Sequence, residues 1–151
     1  MKTKCIDKIF SRISLLVIVI ISIICNIGDF TSGSGKINPL TLIVTFIYII
    51  YGTAFTLLAK NRKSVTTMTI WSIVTLVVAI LSFLTSTFRL TIGAIIPFSI
   101  VFLTPFQGLV AILSSNWIII YSIIIFISIL WVVFSILNIR RHHKNNETTQ
   151  K

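Results

Sequence analysis

The fold of this chain is decided by residues 90–139, which read LTIGAIIPFSIVFLTPFQGLVAILSSNWIIIYSIIIFISILWVVFSILNI and carry no formal charge. As one continuous helix this stretch would be roughly 75 Å long at 1.5 Å per residue, which exceeds two thicknesses of a bilayer core. A soluble domain could not cover so long an uncharged stretch with polar surface. The chain must therefore turn back within it, and we expect the turn at the polar residues 114–116.

Composition extends this conclusion to the whole chain. Of 151 residues, 56% are hydrophobic and only 11% are charged, whereas globular domains carry about 25% charged residues. In lipid, a helix satisfies its backbone polar groups internally and a lone strand does not. The sequence therefore predicts an all-α fold, a polytopic integral membrane helical bundle. Its richness in Ile, Lys and Asn favours a bacterial origin.

The apolar segments that could form this bundle number five. They are residues 13–27, 40–59, 65–88, 90–113 and 117–139. We expect a single transmembrane domain over residues 1–139, followed by a basic disordered tail over 140–151. The first segment also resembles a signal peptide, but no A-x-A cleavage site follows it, which favours an uncleaved first span.

The fourth segment, 90–113, leaves the count of spans open at four or five. With the N-terminus in the cytosol and five spans, seven Lys and Arg residues lie inside and six outside. If the fourth segment enters and leaves by the same face, the numbers become eleven and two. Cytosolic loops carry an excess of Lys and Arg, so the charge distribution favours four spans and a cytosolic C-terminus.

The composition of the same segment also indicates an irregular element. Pro97 and Pro105 interrupt it, and residues 104–108, TPFQG, are a plausible break, because proline lacks an amide donor and clashes with the preceding turn. Irregular backbone at membrane depth persists only where protein or water covers it. The alternative is an ordinary kinked span.

Small and hydroxylated residues recur at helical spacing on two segments and predict packing faces. We expect the second and third segments to pack antiparallel through these stripes, which consist of Thr41, Thr45, Gly52 and Thr56 on one segment and Ser72, Thr75, Ala79, Ser82 and Ser86 on the other.

Aromatic residues near the ends of the segments are typical of membrane-interface belts. Trp117 is expected at the outer interface, Trp71 at the start of its span and Trp131 toward the cytosolic end of the last span. The sequence predicts that these side chains act as anchors.

Titratable groups are too few for recognisable catalysis. The acids are Asp7, Asp29 and Glu147, and none lies inside an apolar segment. His142 and His143 have no acids or cysteines at metal-site spacing. We therefore expect no enzyme activity, no cofactor and no metal, and we expect the basic tail to meet anionic lipid at the cytosolic face.

Arg89 lies between the third and fourth segments and has two interpretations. It is expected to cap the C-terminus of the third helix, where a cation is favourable. Alternatively, an outer-face contact site forms from Asp29, Arg89 and Gln107, together with Lys36.

These observations predict a small, non-catalytic bacterial cell-membrane protein that acts through helix–helix contacts, in an accessory, immunity or stress-type role. Its partners would be another membrane protein or a second copy of the chain. The basic residues flank apolar runs and form no stripe on a soluble face, which excludes nucleic acid as a partner. The alternative is an oligomeric small-solute or ion transporter or channel subunit that uses residues 90–113 as a re-entrant element.

Overall fold

The computed structural model describes residues 2–32, 38–58, 62–89, 93–113 and 116–148. All of the elements in these ranges are helical: α1 (Lys2–Ser32), α2 (Pro39–Leu58), α3 (Arg62–Phe88), α4 (Ile95–Leu103), a 3-10 turn (Thr104–Phe106), α5 (Gly108–Ile112) and α6 (Trp117–Thr148).

Three of these helices are long and apolar enough to span a membrane. The qualifying stretches are Pro39–Leu58, Lys63–Phe88 and Trp117–Arg141, with mean hydropathies of 2.0, 2.2 and 2.7. Shorter apolar stretches lie at Leu16–Thr31 and Ile95–Phe106. Large aliphatic and aromatic side chains on the outside of the bundle are exposed, as expected of surfaces that meet hydrocarbon.

The two terminal helices are longer than the apolar segments that predict them. α1 begins at Lys2 and ends at Ser32, beyond both ends of 13–27. α6 continues to Thr148, into the segment expected to be a disordered tail. Residues 140–148 contain neither Gly nor Pro, so nothing in them stops a helix that the apolar stretch has already nucleated.

The main neighbour of α3 is α6, and the contact between α2 and α3 is small. The expectation that α2 and α3 pack chiefly against each other is therefore wrong. A short connection brings the ends of two helices together but does not decide which of their faces meet. Stripes of small residues accept any close neighbour, and here α2 meets α1, α5 and α6 instead.

Hydrogen bonds between helices establish which ends of the bundle coincide. Ser14, early in α1, bonds with Tyr51, late in α2. Asn138 Nδ2, late in α6, donates to the carbonyl oxygen of Thr56 at 2.9 Å. The first half of α1, the end of α2 and the last third of α6 therefore share one end, which we call the basic end because Lys63, Arg140 and Arg141 adjoin it.

Within residues 95–112, the helix α4 runs toward the basic end. Ser99 Oγ lies 3.1 Å from Ser82 Oγ, near the end of α3. One turn further on, the Phe102 ring lies 4.5 Å from the Trp71 ring, in the earlier part of α3. Because α3 starts at the basic end, α4 descends into the bundle from the opposite end.

The next helix, α5, runs in the opposite direction, away from the basic end. The ring of Phe106 meets Tyr48, at the middle of α2, with 5.3 Å between centroids. The amide of Gly108 then bonds to Thr45 Oγ1, nearer the start of α2. Since α2 starts at the end opposite the basic end, the contacts of α5 lead back toward the end from which α4 comes.

Candidate functional site: a polar ladder that ends at a broken helix

The break between α4 and α5 lies in the middle of the protein. Pro105 has no N–H and so cannot donate to the carbonyl of Val101, as the helical pattern requires. The backbone tightens into a 3-10 turn there, where Gln107 N donates to Thr104 O at 3.0 Å. Residues 103–110 are all buried, so this irregular backbone is covered by protein, which is the condition for its persistence in lipid.

Gly108 allows residues 95–112, which we call the broken segment, to lie directly on α2. A Cβ at this position would lie 2.7 Å from Thr45 Oγ1, 2.8 Å from Leu42 Cα and 2.8 Å from Thr41 O. Two of these atoms belong to the backbone of α2. The backbones approach so closely only because glycine has no side chain, as at small-residue crossings in membrane bundles.

A series of polar side chains, which we call the polar ladder, runs from the end of the bundle opposite the basic end to this break. It consists of Asp29, Gln107, Thr41, Thr45, Asn26 and Thr104. At the end of the ladder farther from the break, Thr41 Oγ1 donates to Asp29 Oδ2 at 2.5 Å, and Asn38 Nδ2 donates to the same oxygen at 3.3 Å. Gln107 Nε2 lies 3.5 Å from the carbonyl oxygen of Asp29. Asp29 is half-buried, and these contacts place its side chain at one end of the ladder.

The inner end of the ladder is fully buried. Asn26 Nδ2 donates to the carbonyl oxygen of Thr104 at 3.1 Å and lies 3.5 Å from Thr45 Oγ1. Thr45 Oγ1 also accepts the amide of Gly108 at 2.9 Å. One asparagine and one threonine thus join α1, α2 and the broken segment through polar contacts.

Four buried side-chain oxygens in the described residues have no hydrogen-bond partner. Two are Asn26 Oδ1 and Thr104 Oγ1, at the inner end of the ladder, and two are Ser128 Oγ and Ser135 Oγ on α6. The serine hydroxyls can rotate toward carbonyls of their own helix. An amide oxygen has no such freedom, and a buried acceptor without a partner costs about 1–3 kcal/mol.

Five aromatic side chains fill the bundle on the side of the break that faces the basic end. We call them the aromatic cluster, and they are Tyr48, Trp71, Phe102, Phe106 and Trp131. The Trp71 indole N–H donates to Tyr48 Oη at 2.9 Å. The ring of Trp131 lies 5.7 Å from that of Tyr48 and 6.1 Å from that of Phe106. Its N–H donates to Thr53 Oγ1 at 3.0 Å.

The prediction of interfacial anchoring for Trp131 is therefore wrong, since this side chain is only 1% exposed. Trp71 is half-buried and its polar atom is used inside the protein. An indole N–H tolerates burial when it has an acceptor, and Tyr48 and Thr53 supply one each. Trp117, by contrast, is exposed and stacks on Tyr121.

The structure buries the predicted packing stripes, apart from one residue. Ser86 is exposed because it lies in the last turn of α3, beyond the contact with α4. The hydroxyls of Ser72 and Thr75 bond to carbonyls of their own helix. The buried members are Thr41, Thr45, Gly52, Thr56, Ser72, Thr75, Ala79 and Ser82.

The predicted outer-face residues come together only in part. Asp29 and Gln107 meet in the polar ladder. Arg89 is exposed and adopts a left-handed backbone with φ 53° directly after α3. That position is where helices commonly end in a left-handed residue. Arg89 bonds to neither of the other two, and Lys36 lies outside the described residues.

The roles of Asn26 and Thr104 were not predicted from the sequence. Their signals were present: Asn26 is the one amide side chain in the apolar segment 13–27, and Thr104 opens the predicted break. The sequence did not show that the two side chains meet, because Asn26 and Thr104 are 78 residues apart.

A cavity of about 10 Å³ lies beside Gln107 and is lined mainly by aromatic and aliphatic side chains. It has room for about one water molecule.

These features define an all-helical protein in which three helices are long and apolar enough to cross a membrane. Comparison with protein families, with curated proteins and with solved structures found no match.

Proposed function

We propose that the chain is a polytopic bacterial cell-membrane protein with four spanning helices, α1, α2, α3 and α6. In this topology residues 93–113 form a re-entrant element and both termini are cytosolic. Two independent observations support it. The contacts of α4 and α5 lead into the bundle and back to the same end, and the same topology places eleven of thirteen Lys and Arg residues on the cytosolic side.

Reporter fusions test this topology. A cytosolic reporter such as green fluorescent protein fused after Lys151 should be active, and an alkaline phosphatase fusion at the same place should be inactive. Fusions placed in the connection after α3 should give the opposite pattern. An active phosphatase at Lys151 would mean that residues 93–113 cross the membrane completely.

We propose further that the protein is not an enzyme and acts through lateral contacts of its helices, in an accessory, immunity or stress-type role. The observation that carries this proposal is the filled interior. Residues 103–110 are buried against α1 and α2, and the aromatic cluster closes the space beyond them. The surface left for partners is the apolar exterior, where helices associate by close packing in lipid.

The partners that fit this exterior are another membrane protein or a second copy of the chain, within a bilayer whose anionic lipids meet the basic end. Lys63, Arg140 and Arg141 are exposed there. Each basic residue near an anionic surface contributes about 1 kcal/mol of attraction.

Site-specific photo-crosslinking tests the contact proposal. Benzoylphenylalanine is placed at Phe126 on α6 or Phe98 on α4, which are 61% and 55% exposed. Phe106, which is 1% exposed, is the matched interior control. We expect a discrete protein adduct in native membranes from at least one exposed position and from none at Phe106. Adducts to lipid alone at both exposed positions would refute the proposal.

A transporter or channel subunit is the second candidate, and the broken segment favours it. Discontinuous helices with buried polar groups form the substrate and ion sites of many transporters. Flux assays with purified protein in liposomes separate the two candidates. Solute or ion flux that a Gly108→Ala variant abolishes would support transport, whereas adducts without flux would support the contact role.

A further inference from the structure

We propose that the inner end of the polar ladder binds one small monovalent cation, for which Na⁺ is the fitting ion. The site would be formed by Asn26 Oδ1 and Thr104 Oγ1, beside the backbone that unwinds at Pro105. Both side chains have no exposed surface, and both oxygens lack a hydrogen-bond partner. This binding site is independent of whether the protein acts through lateral contacts.

The orientation of the Asn26 amide is determined by its surroundings. Its nitrogen donates to the carbonyl oxygen of Thr104 at 3.1 Å and faces Thr45 Oγ1 at 3.5 Å. The reversed amide would set two acceptor oxygens against each other at 3.1 Å, which is unfavourable. Oδ1 is therefore the free atom, and it is an acceptor that only a donor or a cation can satisfy.

Thr104 contributes a second buried oxygen at the break, that of its hydroxyl. Its carbonyl oxygen is already used, because Asn26 Nδ2 and Gln107 N both donate to it. Its Oγ1 remains unused at the point where the helical pattern stops. Broken membrane helices coordinate Na⁺ through unwound backbone carbonyls and helix C-terminal ends. The hydroxyl of Thr104 and the amide oxygen of Asn26 are further neutral oxygen donors beside such a break.

The charge of the ladder selects the class of cation. Asp29 lies one helical turn from Asn26 on α1 and is the only carboxylate among the described residues of the ladder. A single carboxylate near the site favours a monovalent cation over an anion. Divalent cations such as Ca²⁺ take six to eight oxygen ligands that include several carboxylates, which the ladder does not provide.

Thermal unfolding of the full chain in detergent tests the proposal. The melting temperature Tm is measured in NaCl, KCl and choline chloride at equal ionic strength. We expect Tm to rise with the logarithm of the Na⁺ concentration once the site begins to fill, because a ligand that binds only the folded state stabilises it by mass action. K⁺ should raise Tm less, and choline should not raise it.

Variants identify the site. Thr104→Val preserves the shape of the side chain and removes only the hydroxyl, and it should abolish the Na⁺-dependent rise, as should Asn26→Leu. Thr87→Val is the matched control, because Thr87 is exposed and its hydroxyl bonds within its own helix. Its response should equal that of the wild type.

A second measurement covers the case in which Asn26→Leu does not fold. Equilibrium dialysis with ²²Na⁺ should show one bound ion per chain in the wild type and in Thr87→Val, and none in Thr104→Val. Equal Tm values in all three chlorides would overturn the proposal and leave water as the partner of these oxygens. A Na⁺ response that persists in Thr104→Val would overturn it as well.

Discussion

Replacing Gly108 with alanine should separate the broken segment from α2. The added Cβ would lie 2.7 Å from Thr45 Oγ1 and 2.8 Å from both Leu42 Cα and Thr41 O. A threonine side chain can rotate away, but the two backbone atoms cannot move unless α2 moves with them. Restoring ordinary contact at roughly 3.4–4 Å requires the two backbones to separate by about 1 Å.

The magnitude follows from two contributions. Inserting a methyl group into a closely packed interface costs about 1–3 kcal/mol. A separation of about 1 Å also breaks the hydrogen bond from Gly108 N to Thr45 Oγ1, now 2.9 Å long, and the loss of such a bond costs about 1 kcal/mol. We therefore expect Gly108→Ala to reduce the free energy of unfolding by about 2–4 kcal/mol.

Unfolding of the purified protein in mixed micelles by a denaturing detergent measures this loss. Gly28→Ala is the matched control, since a Cβ at Gly28 meets nothing within 4 Å and Gly28 lies inside α1. That substitution should raise stability by roughly 0.5–1 kcal/mol, because alanine loses less backbone entropy than glycine in a helix. Equal stability of Gly108→Ala and Gly28→Ala would refute the close backbone approach.

Three further predictions concern single contacts. Gly52→Ala should destabilise the protein by about 1–3 kcal/mol, because its Cβ would lie against the indole of Trp131, 2.7 Å from Cη2. The same denaturing-detergent titration measures this loss. The double variant with Trp131→Phe should lose less free energy of unfolding than the two single variants together. Arg89→Gly should raise Tm by an amount equivalent to roughly 1 kcal/mol, since φ is 53° there, whereas a gain from Arg89→Ala would contradict this cause. Tyr48→Phe removes the acceptor of the Trp71 indole N–H, so the free energy of unfolding should fall by about 1–3 kcal/mol and the tryptophan emission maximum should shift. An unaltered spectrum and unaltered stability would show that the bond is not formed.

The sequence by itself determined the class of the protein and the place of the break. Long uncharged stretches are stable only as helices in an apolar medium, and that property depends on composition and length alone. The spacing of small residues likewise predicted which face of α2 is buried. Proline at 105 and glycine at 108 marked the irregular segment, because their effects on the backbone are local.

Only the tertiary structure decided which faces meet. In lipid, an exposed face and a buried face are both apolar, so hydropathy does not distinguish a neighbouring helix from a lipid tail. This is why α3 packs against α6 although α2 is its neighbour in the sequence, and why Trp131 lies inside the bundle. The contact between Asn26 and Thr104 could not be predicted for the same reason, because α1 and the break are far apart in the sequence and no local pattern relates them.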